Sequence, residues 1–237
     1  MSDNQPQLPQ QPQLPVIRLN KFLAERLGLS RREADDAIAS GQVFVNDVVA
    51  VLGARVDKTD KICYNDKIVP FEADFTYIAF HKPVGYVCSR RAQGDTPTIY
   101  SLLPADFSKL KTVGRLDKDS SGLILLTNDG DFAFSMTHPK FYKEKIYQVE
   151  LDRALEPLHQ QMIADFGIQL EDGLSKMAIT HDGDRAKLTV TLSEGRNRQI
   201  RRTFAALGYQ VVKLHRVSFG KYQLSGLEAG KWVKITK

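Results

Sequence analysis

The chain has 237 residues, 42% of them hydrophobic and 26% charged, with a formal net charge of +5. That balance describes a folded protein large enough for a small domain plus a medium one, and a basic partner surface for something anionic. Two cysteines exclude a disulfide framework and a four-cysteine zinc site; the absence of a signal-like start or of an apolar run near the roughly 20 residues of a membrane span leaves the cytoplasm as the expected address and no membrane as a partner.

Residues 1–15, MSDNQPQLPQQPQLP, form a Gln/Pro-rich run without Lys or Arg. Such a segment cannot bury a core and is expected to be a disordered tail. From Val16 the pattern changes. Leu19, Phe22, Leu23 and Leu27 recur at helical spacing, and Gly28 follows as a stop. Ser30 and Glu33 form a capping-box pattern that starts a second helix, with Ala34, Ala37 and Ile38 as its apolar face and Gly41 at its end. VFVNDVVAV then places two β-rich runs around Asn46-Asp47, a hairpin signal. Residues 16–70 therefore read as helix, helix and strands, and 71–75 (FEADF) as a linker to a larger region, 76–237.

In that region YIAFHKP predicts a strand ended by Pro83, and Leu123–Thr127 predicts another, followed by the turn-rich Asn128-Asp129-Gly130-Asp131. Residues 145–151 alternate, with Lys145, Tyr147, Val149 and Leu151 on one face. Residues 185–193 alternate again. A helix is expected over 197–207, carrying Ile200, Phe204 and Leu207 on one side and stopped by Gly208, and a strand over 209–215. Many strands with few helices and no strict β–α alternation predict an α+β domain with a mainly antiparallel mixed sheet.

Cations gather in two places. Arg18, Lys21, Arg26, Arg31 and Arg32 crowd the first helical pair, and Arg196, Arg198, Arg201 and Arg202 crowd the later helix start. Each cluster is either a solvated face or a phosphate-binding surface. The segment from Asp117 also mimics a calcium loop through Asp119, Ser121 and Gly122. However, Asn128 stands where the bidentate Glu belongs, and Ile124–Thr127 is an apolar strand, so no metal is predicted.

Four segments in order resemble one known group. RLNKFLAERLGLSRREADDAIASGQVFVND (18–47) is similar to an S4 RNA-binding domain. HKPVGYV (81–87), GRLDKDSSGLILLTNDGD (114–131), KIYQV and EGRNRQIRR (194–202) resemble the motifs of ribosomal RNA pseudouridine synthases of the RsuA/RluB type. The resemblance covers about residues 16–236. It implies isomerisation of a uridine in ribosomal RNA to pseudouridine by a monomeric enzyme without cofactor, acting on rRNA or pre-ribosomal particles. By the same resemblance Asp117 is the catalytic carboxylate, Tyr147 the active-site tyrosine, Arg201 the partner of Asp117 and Ile200 a residue packing on the target base. Arg115 helps hold the RNA near it. The reaction breaks a uracil–ribose N–C bond, which in a stacked helix requires the base to be flipped out first. An aromatic ring such as Tyr147 suits a flipped base.

The remaining cations complete the expectation. Arg18, Lys21, Arg31 and Arg32 of the S4-like segment, and Arg196, Arg198 and Arg202 beside Arg201, are read as phosphate contacts. Two other readings compete with the enzyme: a catalytically inactive S4-domain ribosome-assembly factor, which would be free to lose one of Asp117, Tyr147 and Arg201, and a glycosidase built on Asp117 and Asp119, which would need a sugar platform that the sequence does not offer.

Overall fold

Leu19, Phe22 and Leu23 meet on one face of the helix Leu19–Leu27, where all three are fully buried. Gly28 ends this helix in the left-handed conformation, at φ 74. The helix Arg31–Ala39 begins on a reciprocal capping box. Ser30 Oγ accepts from the Glu33 amide at 3.1 Å, and Glu33 Oε2 accepts from the Ser30 amide at 2.6 Å. Ala34, Ala37 and Ile38 close the core against Val43, Val56 and Ile62. Each Leu or Phe fully buried here contributes roughly 1.5–3 kcal/mol.

Two hairpins complete this part. Val43–Val45 and Val48–Val49 turn on Asn46-Asp47, at φ 51 and 65; Ile62–Tyr64 and Lys67–Ile68 turn on Asn65-Asp66, at φ 47 and 60. Positive φ at both central residues is the turn that matches strand twist. The sequence pattern indicated the first hairpin and not its twin. The two join through Val43–Val45 and Ile62–Tyr64 into one antiparallel sheet, and Ile17–Arg18 pairs separately with Arg55–Val56.

This computed structural model describes residues 16–72, 74–90 and 94–237; the tail expected at 1–15 lies outside them. The chain divides into two compact units, Met1–Asp74 and Phe75–Lys237.

The second unit is built on one mixed sheet. Its strands run in the order Ala178–His181, Lys187–Leu192, Lys145–Leu151, Val211–Phe219, Ser121–Thr127, Tyr77–Lys82, Trp232–Lys234. Neighbours are antiparallel except at one junction, where Val211–Phe219 lies parallel to Ser121–Thr127. Leu123, Ile124, Leu125 and Leu126 are all fully buried, because both faces of this central strand are covered. Phe132 and Met136 of the helix Gly130–Thr137 pack with Leu123 and Leu125; Ile200 and Phe204 of the helix Gln199–Ala206 belong to the core that holds Ile124 and Leu126. A strand covered on both sides reads as a continuous apolar run.

Two expectations change. Asn128–Asp131 is more than a turn. Asp129 caps the helix Gly130–Thr137, its Oδ1 accepting from the amides of Asp131 and Phe132 at 2.9 Å. The last long strand ends at Phe219 and not at 215, which brings Arg216 and Phe219 into the sheet.

Candidate active site

The parallel junction fixes where Asp117 sits. Gly122 has φ +110 and pairs with Arg216. A Cβ on Gly122 would lie 2.2 Å from the carbonyl oxygen of Arg216, so a side chain there would force the strands apart. The loop leading into this strand carries Asp117, Lys118, Asp119 and Ser120, tightened by a Ser120 amide to Asp117 carbonyl bond of 3.1 Å.

One buried and one half-buried side chain hold that loop from below. Lys82, the last residue of the strand Tyr77–Lys82, is fully buried. Its Nζ donates to the carbonyls of Ser120 at 2.6 Å and Pro83 at 2.9 Å. Burial pushes its pKa down, and the charges of Cys88, Asp119 and Asp117 oppose that shift. Cys88 Sγ lies 3.4 Å from the carbonyl oxygen of Leu116 and 3.5 Å from its amide, and burial raises its pKa. Sequence reasoning gave Lys82 no role. The signal was present, since a lysine within YIAFHK is out of place on an apolar strand.

Asp117 lines a cavity of about 1110 Å³ together with Arg115, Tyr147 and Ile200. Those four were expected in one site, and the fold brings them to one cavity from three elements. Tyr147 comes from the strand Lys145–Leu151 and is 8% exposed; Ile200 comes from the first turn of the helix Gln199–Ala206 and is 5% exposed. Arg115 is exposed beside them. Asp117 keeps 30% of its side-chain surface open to solvent.

The pairing of cations differs from the sequence expectation. Arg198 adopts φ 47 just before the helix, and its Nη1 lies 3.5 Å from Asp117 Oδ2 and 3.2 Å from Asp119 Oδ1. Arg201, expected on Asp117, instead has its Nε 3.3 Å from Asp119 Oδ2. Its Nη1 donates to the Val211 carbonyl at 2.7 Å and its Nη2 to the Asp119 carbonyl at 2.9 Å. The reason is local: the left-handed turn at Arg198 carries its guanidinium across both carboxylates, whereas two backbone carbonyls hold Arg201. Burial alone would raise the carboxyl pKa of Asp119, but Arg198 and Arg201 outweigh it and hold the value below the ordinary range.

Arg196 and Arg202, expected on phosphates, are also occupied. Arg202 makes a two-pronged pair with Asp172, at 3.0 and 2.6 Å. Arg196 reaches the Asp172 carboxylate at 3.1 Å, Glu194 at 3.1 Å and the carbonyls of Gly173 and Leu174. The arginine cluster is thus an internal brace tying the helix start to the loops around Asp172 and Asp119. Asp172 and Asp119 lie far from it in sequence, so their pairing was invisible there.

In the first unit Arg18, Arg31 and Arg32 are exposed and, among the described residues, form no ion pair. Lys21 is half-buried, 3.8 Å from Glu25. Arg55 was not anticipated: it is exposed and pairs directly with Arg18 across the short ladder. Like charges opposite each other destabilise a ladder, and among the described residues no carboxylate is paired with either guanidinium.

Comparison with known proteins agrees with this architecture. Residues 76–206 match the family model described as RNA pseudouridylate synthase, and 17–62 match the S4 domain. The chain is 42% identical over 212 residues to the ribosomal small subunit pseudouridine synthase A of Pasteurella multocida, covering 88% of this chain and 90% of that protein. It is 35% identical to the ribosomal large subunit pseudouridine synthase B of Bacillus subtilis, covering 92% of each. A crystal structure of a pseudouridylate synthase superposes with a TM-score of 0.67 at 35% identity, over 93% of this chain and 96% of that one. With its S4 domain ahead of a catalytic domain, this chain belongs to the RNA pseudouridylate synthase family and is a pseudouridine synthase.

Proposed function

We propose that the chain isomerises one uridine of ribosomal RNA to pseudouridine, with Asp117 as catalytic carboxylate acting on a base flipped out of its RNA. One observation carries the reading: a partly exposed carboxylate opens onto a cavity walled by a tyrosine ring and an isoleucine. A flat base lies between such surfaces, and base–aromatic stacking contributes about 1–3 kcal/mol. Asp117 then faces the ribose carbon whose bond to nitrogen must break. Arg198 orients that carboxylate, and Arg201 acts through Asp119 and the loop backbone as a positioning residue. Arg115 and the open arginines of the S4 unit, Arg18, Arg31, Arg32 and Arg55, are the groups left free for phosphates.

Ribosomal RNA as substrate rests on the relatives, which are named for the small and large ribosomal subunits. Such a substrate places the enzyme in the cytoplasm with rRNA or assembling particles. No helix among the described residues is long and apolar enough to cross a membrane. The presence of Asp117, Tyr147 and Arg201 together favours an active enzyme over an RNA-binding assembly factor. Mapping pseudouridine in both large rRNAs of cells with and without the gene tests the reading. One uridine is expected to lose its modification, and to stay unmodified when only the Asp117→Asn form is supplied. Unchanged maps would overturn the proposal.

A further inference from the structure

The cavity contains two cations that the reading above does not use. Arg216 is 2% exposed and Lys145 is 8% exposed, and both line the same cavity as Asp117 and Tyr147. Arg216 uses Nε on the Leu123 carbonyl at 2.7 Å, and its Nη1 lies 3.5 Å from the Tyr147 hydroxyl. Its Nη2 is buried and has no hydrogen-bond partner. Lys145 Nζ has only long contacts, at 3.3, 3.4 and 3.4 Å, to the carbonyls of Lys143, Ser193 and Glu194. Among the described residues neither cation forms an ion pair. Both lie against the Phe219 ring, each 5.1 Å from its centroid, and Arg216 lies 6.0 Å from the centroid of Tyr147.

Burying two positive charges side by side without a carboxylate is costly, and a protein that needed only packing would place apolar side chains there. The cost is visible at Lys145, whose pKa is pushed down to about 8 by burial first and by Arg216 second, with Glu194 pulling the other way. The lysine therefore keeps its charge at neutral pH by only a narrow margin, and an anion beside it would hold that proton more firmly. The free Nη2 is a donor already in place for such an acceptor.

From this arrangement we infer that Lys145 and Arg216 form an anion subsite for the uracil ring as it leaves the ribose. The inference rests on the proposed function, because it needs the target base in this cavity. When the N1–C1′ bond breaks, its electron pair stays with uracil and spreads over N1 and the two carbonyl oxygens. The ribose carbon is left as a cation stabilised by the negative Asp117 carboxylate, with no bond to it, until C5 supplies the next electron pair. Uracil then turns, C5 bonds to C1′, the C5 proton leaves and N1 takes one up, so that atoms and electrons balance without a redox partner. While detached, the ring is an anion, and the two cations hold it in the cavity through that turn. A backbone phosphate is the competing occupant. The neighbourhood favours the base: the cations flank the aromatic rings of Tyr147 and Phe219, and Arg216 is too deeply covered for a phosphate still joined to a chain.

The test uses the full chain with unmodified 16S and 23S transcripts, measuring the single-turnover rate at saturating enzyme, the Kd and its salt dependence. Lys145→Met is expected to lower the saturating rate about 10–100-fold with Kd within twofold, and Lys145→Arg to recover most of that rate. Arg216→Lys is expected to lower the rate in the same direction. Thermal melting confirms that each variant is folded. The inference is overturned if Lys145→Met weakens Kd and flattens the salt dependence at an unchanged saturating rate, which marks a phosphate contact. It is equally overturned if Lys145→Arg is as slow as Lys145→Met, or if no variant changes the rate. A wild-type enzyme that modifies neither transcript and leaves rRNA maps unchanged in cells would instead remove the proposed function itself.

Discussion

The two units use most of their clustered arginines in different ways. In the S4 unit Arg18, Arg31, Arg32 and Arg55 stand in solvent and, among the described residues, have no carboxylate paired to them. In the catalytic unit Arg196, Arg198, Arg201 and Arg202 are each tied to Asp172, Asp117 or Asp119, and Arg216 is buried. An unpaired guanidinium is open to phosphate or to water; a paired one is architecture, or an orienting group for the carboxylate it holds. Sequence runs of basic residues look alike in both cases, and only the positions of the acids separate them.

The largest effect expected follows from the Asp117 carboxylate at the cavity. Asp117→Asn keeps shape and most packing but removes the charge that Arg198 orients. Single-turnover pseudouridine formation should fall by on the order of 10³-fold or more, while affinity for rRNA stays within a few-fold. Substantial turnover by this variant would move catalysis elsewhere and break the division between the two units.

A smaller effect, tenfold per pH unit at most, is expected from Lys145. Its pKa is lowered to about 8 from 10.5 by burial and by Arg216, with Glu194 opposing. The protonated form is the one the anion subsite requires, so kcat/KM, which reports the free enzyme, should fall as pH rises through about 8. Stability moves the other way. Between about pH 8 and 10.5 the unfolded chain holds a proton that the native lysine has released, so this group makes the fold more stable as pH rises. Loss of activity with retained melting temperature is thus the expected signature, and Lys145→Arg should abolish the limb. A limb that persists unaltered in Lys145→Arg belongs to another group.

What was legible in the sequence divides along physical lines. The helix pair of the S4 unit was plain because its apolar spacing and the Ser30–Glu33 box are local signals. The faces of 145–151 were plain because strands alternate, and that alternation already put Lys145 on one face with Tyr147, the face that the fold buries. Local chemistry was ambiguous at Asp129, where the residues that make a turn also make a helix cap. The sequence could not tell that Arg198 and not Arg201 faces Asp117, because the choice depends on one positive φ and on two carbonyls, of Val211 at a strand start and of Asp119 in the loop, that hold Arg201. The same holds for Asp172, which takes Arg196 and Arg202 out of the candidate RNA surface.

The last and smallest effects sharpen that contrast directly. If the open arginines meet phosphates, Arg31→Gln with Arg32→Gln should weaken rRNA binding several-fold at moderate salt. It should also reduce the slope of log K against log salt by about 0.7–0.9 for each phosphate no longer neutralised, because every neutralised phosphate releases counterions. The saturating single-turnover rate should change little, since neither residue belongs to the catalytic unit. Arg202→Gln removes one positive charge in the other unit, where the guanidinium is already taken by Asp172. Here the salt slope should stay as in the wild type, and the defect should appear as a lower melting temperature from the loosened brace between the helix start and the Asp172 loop. Each variant serves as the control for the other, because both remove positive charge from a basic protein. If Arg202→Gln flattens the slope as much per charge as the Arg31/Arg32 pair, Asp172 yields its arginine to RNA and the brace is a phosphate site held closed in the free protein. If the Arg31/Arg32 pair leaves the slope untouched, open arginines are merely solvated, and the S4 unit must bind its RNA through other groups.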